Sequence, residues 1–153
     1  MKWFLLIHVL SAVIGIGPTF FAHYITRNGQ TVEEFKHNYK IGKKLYIFPL
    51  IGGPIAVITG IIITHLGNYN FFSSFWLYGS LIIYIIIQVI GIGVLFPSIE
   101  KVAKWVMKVE NKDRQTFPAE QERQIRQINR TLNVVSVLSI MLFTLMVIKP
   151  IFT

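Results

Sequence analysis

The chain has 153 residues, 53% of them hydrophobic, with 15 Lys and Arg against 7 Asp and Glu. That length fits a single integral membrane domain, residues 1–153, and leaves little room for a soluble catalytic domain. There are no cysteines, which excludes disulfides, iron–sulfur clusters, thiolate zinc and covalently attached c-type haem.

The first segment, Trp3 to Thr26, carries no charge and is longer than the apolar stretch of a secretory signal. It reads as a permanent membrane helix from Trp3 to Ile25. The connection that follows holds Arg27, Lys36, Lys40, Lys43 and Lys44, and His37 within it reads as solvated. From Leu45 to Ile99 no Asp, Glu, Lys or Arg occurs, and Gly67-Asn68-Tyr69-Asn70 breaks this run near its middle. The pattern predicts a membrane hairpin with helices at Leu45 to Leu66 and Phe72 to Pro97, each near the ~20 residues that cross hydrocarbon. Eight Lys and Arg lie between Lys101 and Arg130. Lys101, Lys104 and Lys108 share one face of a helical extension, and Glu122 with Arg126 makes an i,i+4 pair after Pro118. A last helix is predicted from Leu132 to Phe152.

The fold class is therefore all-α: a polytopic transmembrane bundle of four helices, running up, down, up and down. Isolated strands cannot satisfy their backbone in lipid. Basic residues concentrate in two connections, while the other side has only Lys2 and Lys149. The positive-inside rule then places both termini and the Gly67 turn outside, and the basic connections in the cytoplasm. The +8 charge reads as a topology signal and a contact for anionic lipid, not for nucleic acid. Trp3, Tyr69, Trp76 and Trp105 fall near the expected interfaces.

Membrane helices associate through small residues that let backbones approach. Ser11, Gly15 and Thr19 form such a stripe on the first helix, and Gly52, Ala56 and Gly60 on the second; these should face each other. The same residues could also support a homo-oligomer. Pro18, Pro49, Pro54 and Pro97 predict kinks. The sequence VIGIG at 13–17 recurs at 89–93, suggesting two related hairpins.

Ionisable groups at bilayer depth are functional candidates. His8 lies on the small-residue face and reads as a cofactor ligand or as a helix-to-helix hydrogen-bonding group. His65 sits at the outer end of the second helix, ~140° off the stripe at about 100° per residue. Met146 could supply a thioether ligand, and Lys149 on the same face could pair with a propionate or snorkel to headgroups. His23 shares the His8 face, and Gln88 and Asn133 read as interhelical hydrogen-bonding residues. No catalytic triad, P-loop, zinc-protease helix or dinucleotide glycine motif occurs.

The opening LLIHVLSAVIGIG, Thr59-Gly60, the Gly91 to Pro97 segment and the closing LMVIKP at 145–150 resemble a bacterial family of four-helix membrane proteins, domain of unknown function 2269. The resemblance covers the whole chain and implies a multi-pass protein of the bacterial cytoplasmic membrane. A first-helix histidine followed by small residues is also distantly similar to copper-resistance D proteins and HemJ-type protoporphyrinogen oxidases. That similarity touches His8 alone, and the first-helix tryptophan and Pro-Arg pair associated with the HemJ pattern are missing.

The expected function is binding of haem b, or a related porphyrin, in the outer leaflet. His8 would be an axial ligand, His65 or Met146 the second, and Lys149 the propionate partner. An enzyme built this way would be a membrane oxidoreductase. The alternatives are metal handling, copper above all, through His8 and His65, and a non-catalytic subunit or scaffold whose cytosolic hairpin recruits a partner.

Overall fold

The computed structural model describes residues 1–111 and 114–149. Among them are six α-helices, one π-helical turn and one 3-10 turn, with no strand. They are α1 (Lys2–Ile25), α2 (Val32–Leu45), α3 (Ile47–Leu66), α4 (Phe75–Ile90), α5 (Phe96–Val106) and α6 (Ala119–Ile148). The π-turn, Gly91–Leu95, joins α4 to α5, and the 3-10 turn is Val109–Asn111.

Four stretches are long and apolar enough to cross a membrane: Lys2–Ile25, Val32–Leu66, Phe75–Val106 and Ala119–Ile148. Only 17–22% of each stretch's most apolar window is buried inside the protein. Large apolar side chains such as Phe21, Ile61, Val89 and Ile140 face outward. Such faces would drive aggregation in water; in a bilayer they meet lipid.

The helices associate in two pairs. In the α1/α3 pair, His8 meets Ala56 and Gly60 while Gly15 meets Gly52 and Gly53, so the two run antiparallel. A Cβ on Gly52 would lie 2.7 Å from both the Ser11 carbonyl oxygen and the Gly15 backbone nitrogen. The small-residue stripes thus meet as backbone on backbone, the geometry that Gly alone permits. In the α4/α6 pair, Gly79 packs near Leu145 and Lys149 reaches Trp76. A continuous stripe on α6 is buried: Gln121, Ile125, Ile128, Leu132, Val135, Ser139 and Leu142. Its alternating steps of three and four are those of a helix packed along its whole length.

Polar contacts join the pairs. His23 Nε2 lies 3.0 Å from the Ser136 hydroxyl. The Asn129 amide donates to the Thr26 carbonyl, to Asn28 Oδ1 at 3.1 Å and to the Ile125 carbonyl at 3.1 Å. Gly53 leaves room for the Tyr84 hydroxyl, which accepts from Gln88 Nε2 at 2.8 Å.

Several expectations need correction. The first basic connection is a helix, not an open loop. α2 starts at a capping box in which the Glu34 N–H donates to the Thr31 hydroxyl at 3.2 Å and the Thr31 N–H donates to Glu34 Oε2 at 2.8 Å. Its Val32, Phe35, Asn38 and Tyr39 are buried, while His37 is exposed as expected. Asn133 is exposed, so Asn129 and Ser136 bond α6 to α1 in its place. His23 turns to α6 and not to the α3 partner of His8. The half-buried Trp105 ring also lies 5.8 Å from that of buried Phe117.

The two VIGIG copies also differ in geometry. The first lies in regular helix α1, whereas Gly91–Leu95 forms the π-turn, with the Phe96 N–H bonded to the Gly91 carbonyl. Pro97 explains the difference, since its ring cannot donate to Gly93 and crowds that carbonyl, and a π-turn absorbs the disruption. The continuation of the last helix expected over 150–152 lies outside the described residues.

Candidate functional site

His8 sits on the α3 backbone. Because a carbonyl only accepts, its Nδ1 carries the proton and donates to the Ala56 oxygen at 2.7 Å, with the Thr59 hydroxyl oxygen 3.3 Å from the same nitrogen. Thr59 in turn donates to the Ile55 carbonyl at 2.6 Å. The ring edge lies against Gly60, where a Cβ would come within 3.1 Å of Cε1. The imidazole therefore turns inward and ties α1 to α3. Its Nε2 makes no hydrogen bond among the described residues and is the one position left for a ligand.

The other expected site residues lie on α3 and at the end of α6. His65, in the last turn of α3, is exposed. Met146 is half-buried against the α6 core stripe. Lys149 caps α6 in the left-handed conformation, φ 47°. Its ammonium lies 5.0 Å from the Trp76 ring centre and 5.9 Å from that of Tyr69. Those two rings meet edge to face at 5.5 Å, so the cation rests on an aromatic shelf. No hydrogen bond, ion pair or ring contact links any two of His8, His65, Met146 and Lys149. Among the described residues, no three His, Asp or Glu side chains gather as a metal would require. His8 keeps one free coordinating nitrogen.

A buried cluster lies where α2, α5 and the start of α6 meet. Phe35 and Val102 are fully buried, with Ala103, Val106, Phe117, Ile125 and Ile128 around them. Phe35 stacks on Tyr39 at 6.3 Å and meets Phe117 edge to face at 5.7 Å. The Tyr39 hydroxyl donates to Glu100 on α5. The Val32 N–H donates to the Gln115 carbonyl at 3.1 Å, which fixes the tip of the α5–α6 connection on α2. Phe117, just before α6, plugs this core.

The outer surface of this layer is basic. Lys101 and Lys104 are exposed on the side of α5 opposite Val102, Ala103 and Val106; Lys108, expected on the same helix face, is exposed in the bend two residues past the helix end. Among the described residues the ion pairs are Arg27–Glu34 at 2.6 Å, Lys36–Glu33 at 3.8 Å and Arg126–Glu122 at 3.3 Å, so these three lysines are in none. The run of lysines showed in the sequence; the folded layer beneath it did not. Its signals were the Thr31-x-x-Glu34 cap and the apolar spacing of Val32, Phe35 and Tyr39.

Residues 3–150 match the model of one protein family, described as a predicted integral membrane protein, domain of unknown function 2269. Neither the curated proteins nor the solved structures give a match.

Proposed function

The chain belongs to the domain of unknown function 2269 family of integral membrane proteins, and from that premise we propose that it is a non-catalytic membrane subunit that displays a folded basic layer to an acidic partner. The observation that carries this reading is α5. Its inner face is buried to 0–5% exposure at Val102, Ala103 and Val106, while Lys101 and Lys104 stand outward on the helix and Lys108 just beyond its end, none in an ion pair. A helix held this rigidly presents its charges at fixed spacing, and complementary charge steers and orients association. The positive-inside rule puts this layer in the cytoplasm and both termini outside.

A photo-crosslinking residue at Lys104 in native membranes tests the reading. A discrete protein adduct is expected, lost in Lys101→Glu/Lys108→Glu and retained in His8→Ala. Absence of the adduct, or indifference to charge reversal, overturns it.

A second reading keeps b-type haem, with His8 as the one axial ligand from this chain. It is supported by the Nδ1 bond to the Ala56 carbonyl, the outer contact that orients most metal-bound histidines. Bound haem would supply one-electron chemistry; the chain's part would be to hold the imidazole tautomer and bury the ring edge. The visible spectrum of protein purified in mild detergent decides it. A Soret band that disappears in His8→Ala supports the reading, and a wild type without one, or a variant that keeps it, overturns it.

A further inference from the structure

Beside the α5 surface, a groove of about 430 Å³ opens between α2 and the end of α5, lined by Tyr39, Lys40, Lys43, Lys44 and Met107. We propose that this groove is a binding site for an anionic phospholipid headgroup carrying two phosphodiesters, of the diphosphatidylglycerol kind. The inference deepens the reading of a basic layer at the membrane, and it rests on α3 entering the bilayer at Ile47.

Depth is the first argument. At 1.5 Å per residue, Lys44 lies about 4.5 Å and Lys40 about 10 Å before the start of α3. The polar layer on each side of the hydrocarbon is roughly 5 to 7 Å thick. Lys43 and Lys44 therefore stand among the phosphates, and Lys40 at their aqueous edge.

Charge is the second. Lys40, Lys43 and Lys44 are exposed and take part in no ion pair among the described residues. No carboxylate lines the groove; Glu100, beside it, accepts from the Tyr39 hydroxyl. Three ammonium groups on adjacent turns of one helix face suit a ligand with two separated negative charges better than one with a single charge. Basic pockets at the cytoplasmic ends of membrane helices favour such headgroups.

The third argument is the wall. Met107 is 56% exposed. With the aliphatic stems of the lysines it offers apolar surface to the first methylenes of the acyl chains, which a free phosphate lacks.

Native mass spectrometry of the full chain, delipidated and then titrated with vesicle-derived lipid, tests the site. Diphosphatidylglycerol should remain bound at energies that strip phosphatidylglycerol and phosphatidylcholine. Lys40→Gln/Lys43→Gln/Lys44→Gln should weaken its retention at least tenfold. Arg114→Gln/Arg123→Gln/Arg130→Gln removes the same charge from exposed positions elsewhere and should leave retention unchanged. Met107→Glu, which introduces a carboxylate without touching α2, should also abolish it and serves if the triple lysine variant fails to fold. Equal loss in the lysine and arginine variants would reveal a diffuse basic surface and overturn the proposal. So would equal retention of all three lipids, or displacement by inorganic pyrophosphate. Loss of partner crosslinking at Lys104 with lipid retention intact would sink the partner reading and leave this one standing.

Discussion

Gly52 and Gly15 decide how closely the first two membrane helices approach. Backbone atoms surround the position a Gly52 Cβ would occupy, and backbone cannot rotate away as a side chain can. Gly52→Ala is expected to force α1 and α3 apart and cost about 1 to 3 kcal/mol, as overpacking does. Gly17, with nothing within 4 Å of its Cβ position, is the control. Gly17→Ala should be neutral or raise stability by about 0.5 to 1 kcal/mol through helix propensity. Thermal unfolding in one detergent, followed by circular dichroism, separates the two. Both stripes were legible because four-residue spacing of small residues survives in any apolar background, and His8 was legible because it fell on one of them. Asn129 and Ser136 were not: they flank the buried α6 stripe, Asn129 in the polar start that read as solvated helix and Ser136 as a small hydroxyl inside the apolar run. Asn133 drew attention by its nearness to the apolar run, yet it is turned about 100° from Leu132, which puts it outside.

Among the elements, α2 was the one hidden in the sequence. Five basic residues and two acids gave the first connection a loop-like composition, although Val32, Phe35 and Tyr39 already marked a buried face. Its start is sensitive to pH. The Thr31 N–H, bonded to the Glu34 carboxylate, holds that group below its ordinary 4.5, and Arg27 at 2.6 Å adds to the effect. Because the folded value is depressed, Glu34 stabilises above the unfolded value, and that contribution fades as pH falls through the folded one. The difference in thermal midpoint between wild type and Glu34→Gln should therefore be present at pH 7 and shrink below pH 4.5. A difference that persists at pH 3 would show that the carboxylate charge is not the source. The π-turn was likewise hidden, since Gly91-Ile-Gly93 matches Gly15-Ile-Gly17 letter for letter and the copies differ only in where the next proline falls, Pro18 directly after the first and Pro97 four residues after the second.

At the scale of the whole molecule, four membrane-length helices were legible from charge-free runs alone, because lipid demands length and apolarity of each crossing separately. The expected cofactor set was harder to read, since it required residues from three helices to converge, and one-dimensional phase does not fix that. The proposed topology has a direct measurement, made simple by a chain with no native cysteine. A single cysteine at Asn68 should be labelled by a membrane-impermeant maleimide in intact cells, and one at Lys108 only after the membrane is permeabilised. Labelling of both from one side would refute four crossings. One further consequence follows from how the two helix pairs meet. Oily surfaces gain nothing by touching each other when acyl chains are equally good company. What recognises α6 as the companion of α1 is therefore a short polar password, Asn129 with Thr26 and Ser136 with His23. A neighbouring copy's helix could take that place only by presenting the same groups seven residues apart. The crowded membrane is thereby full of similar helices but nearly empty of counterfeit ones.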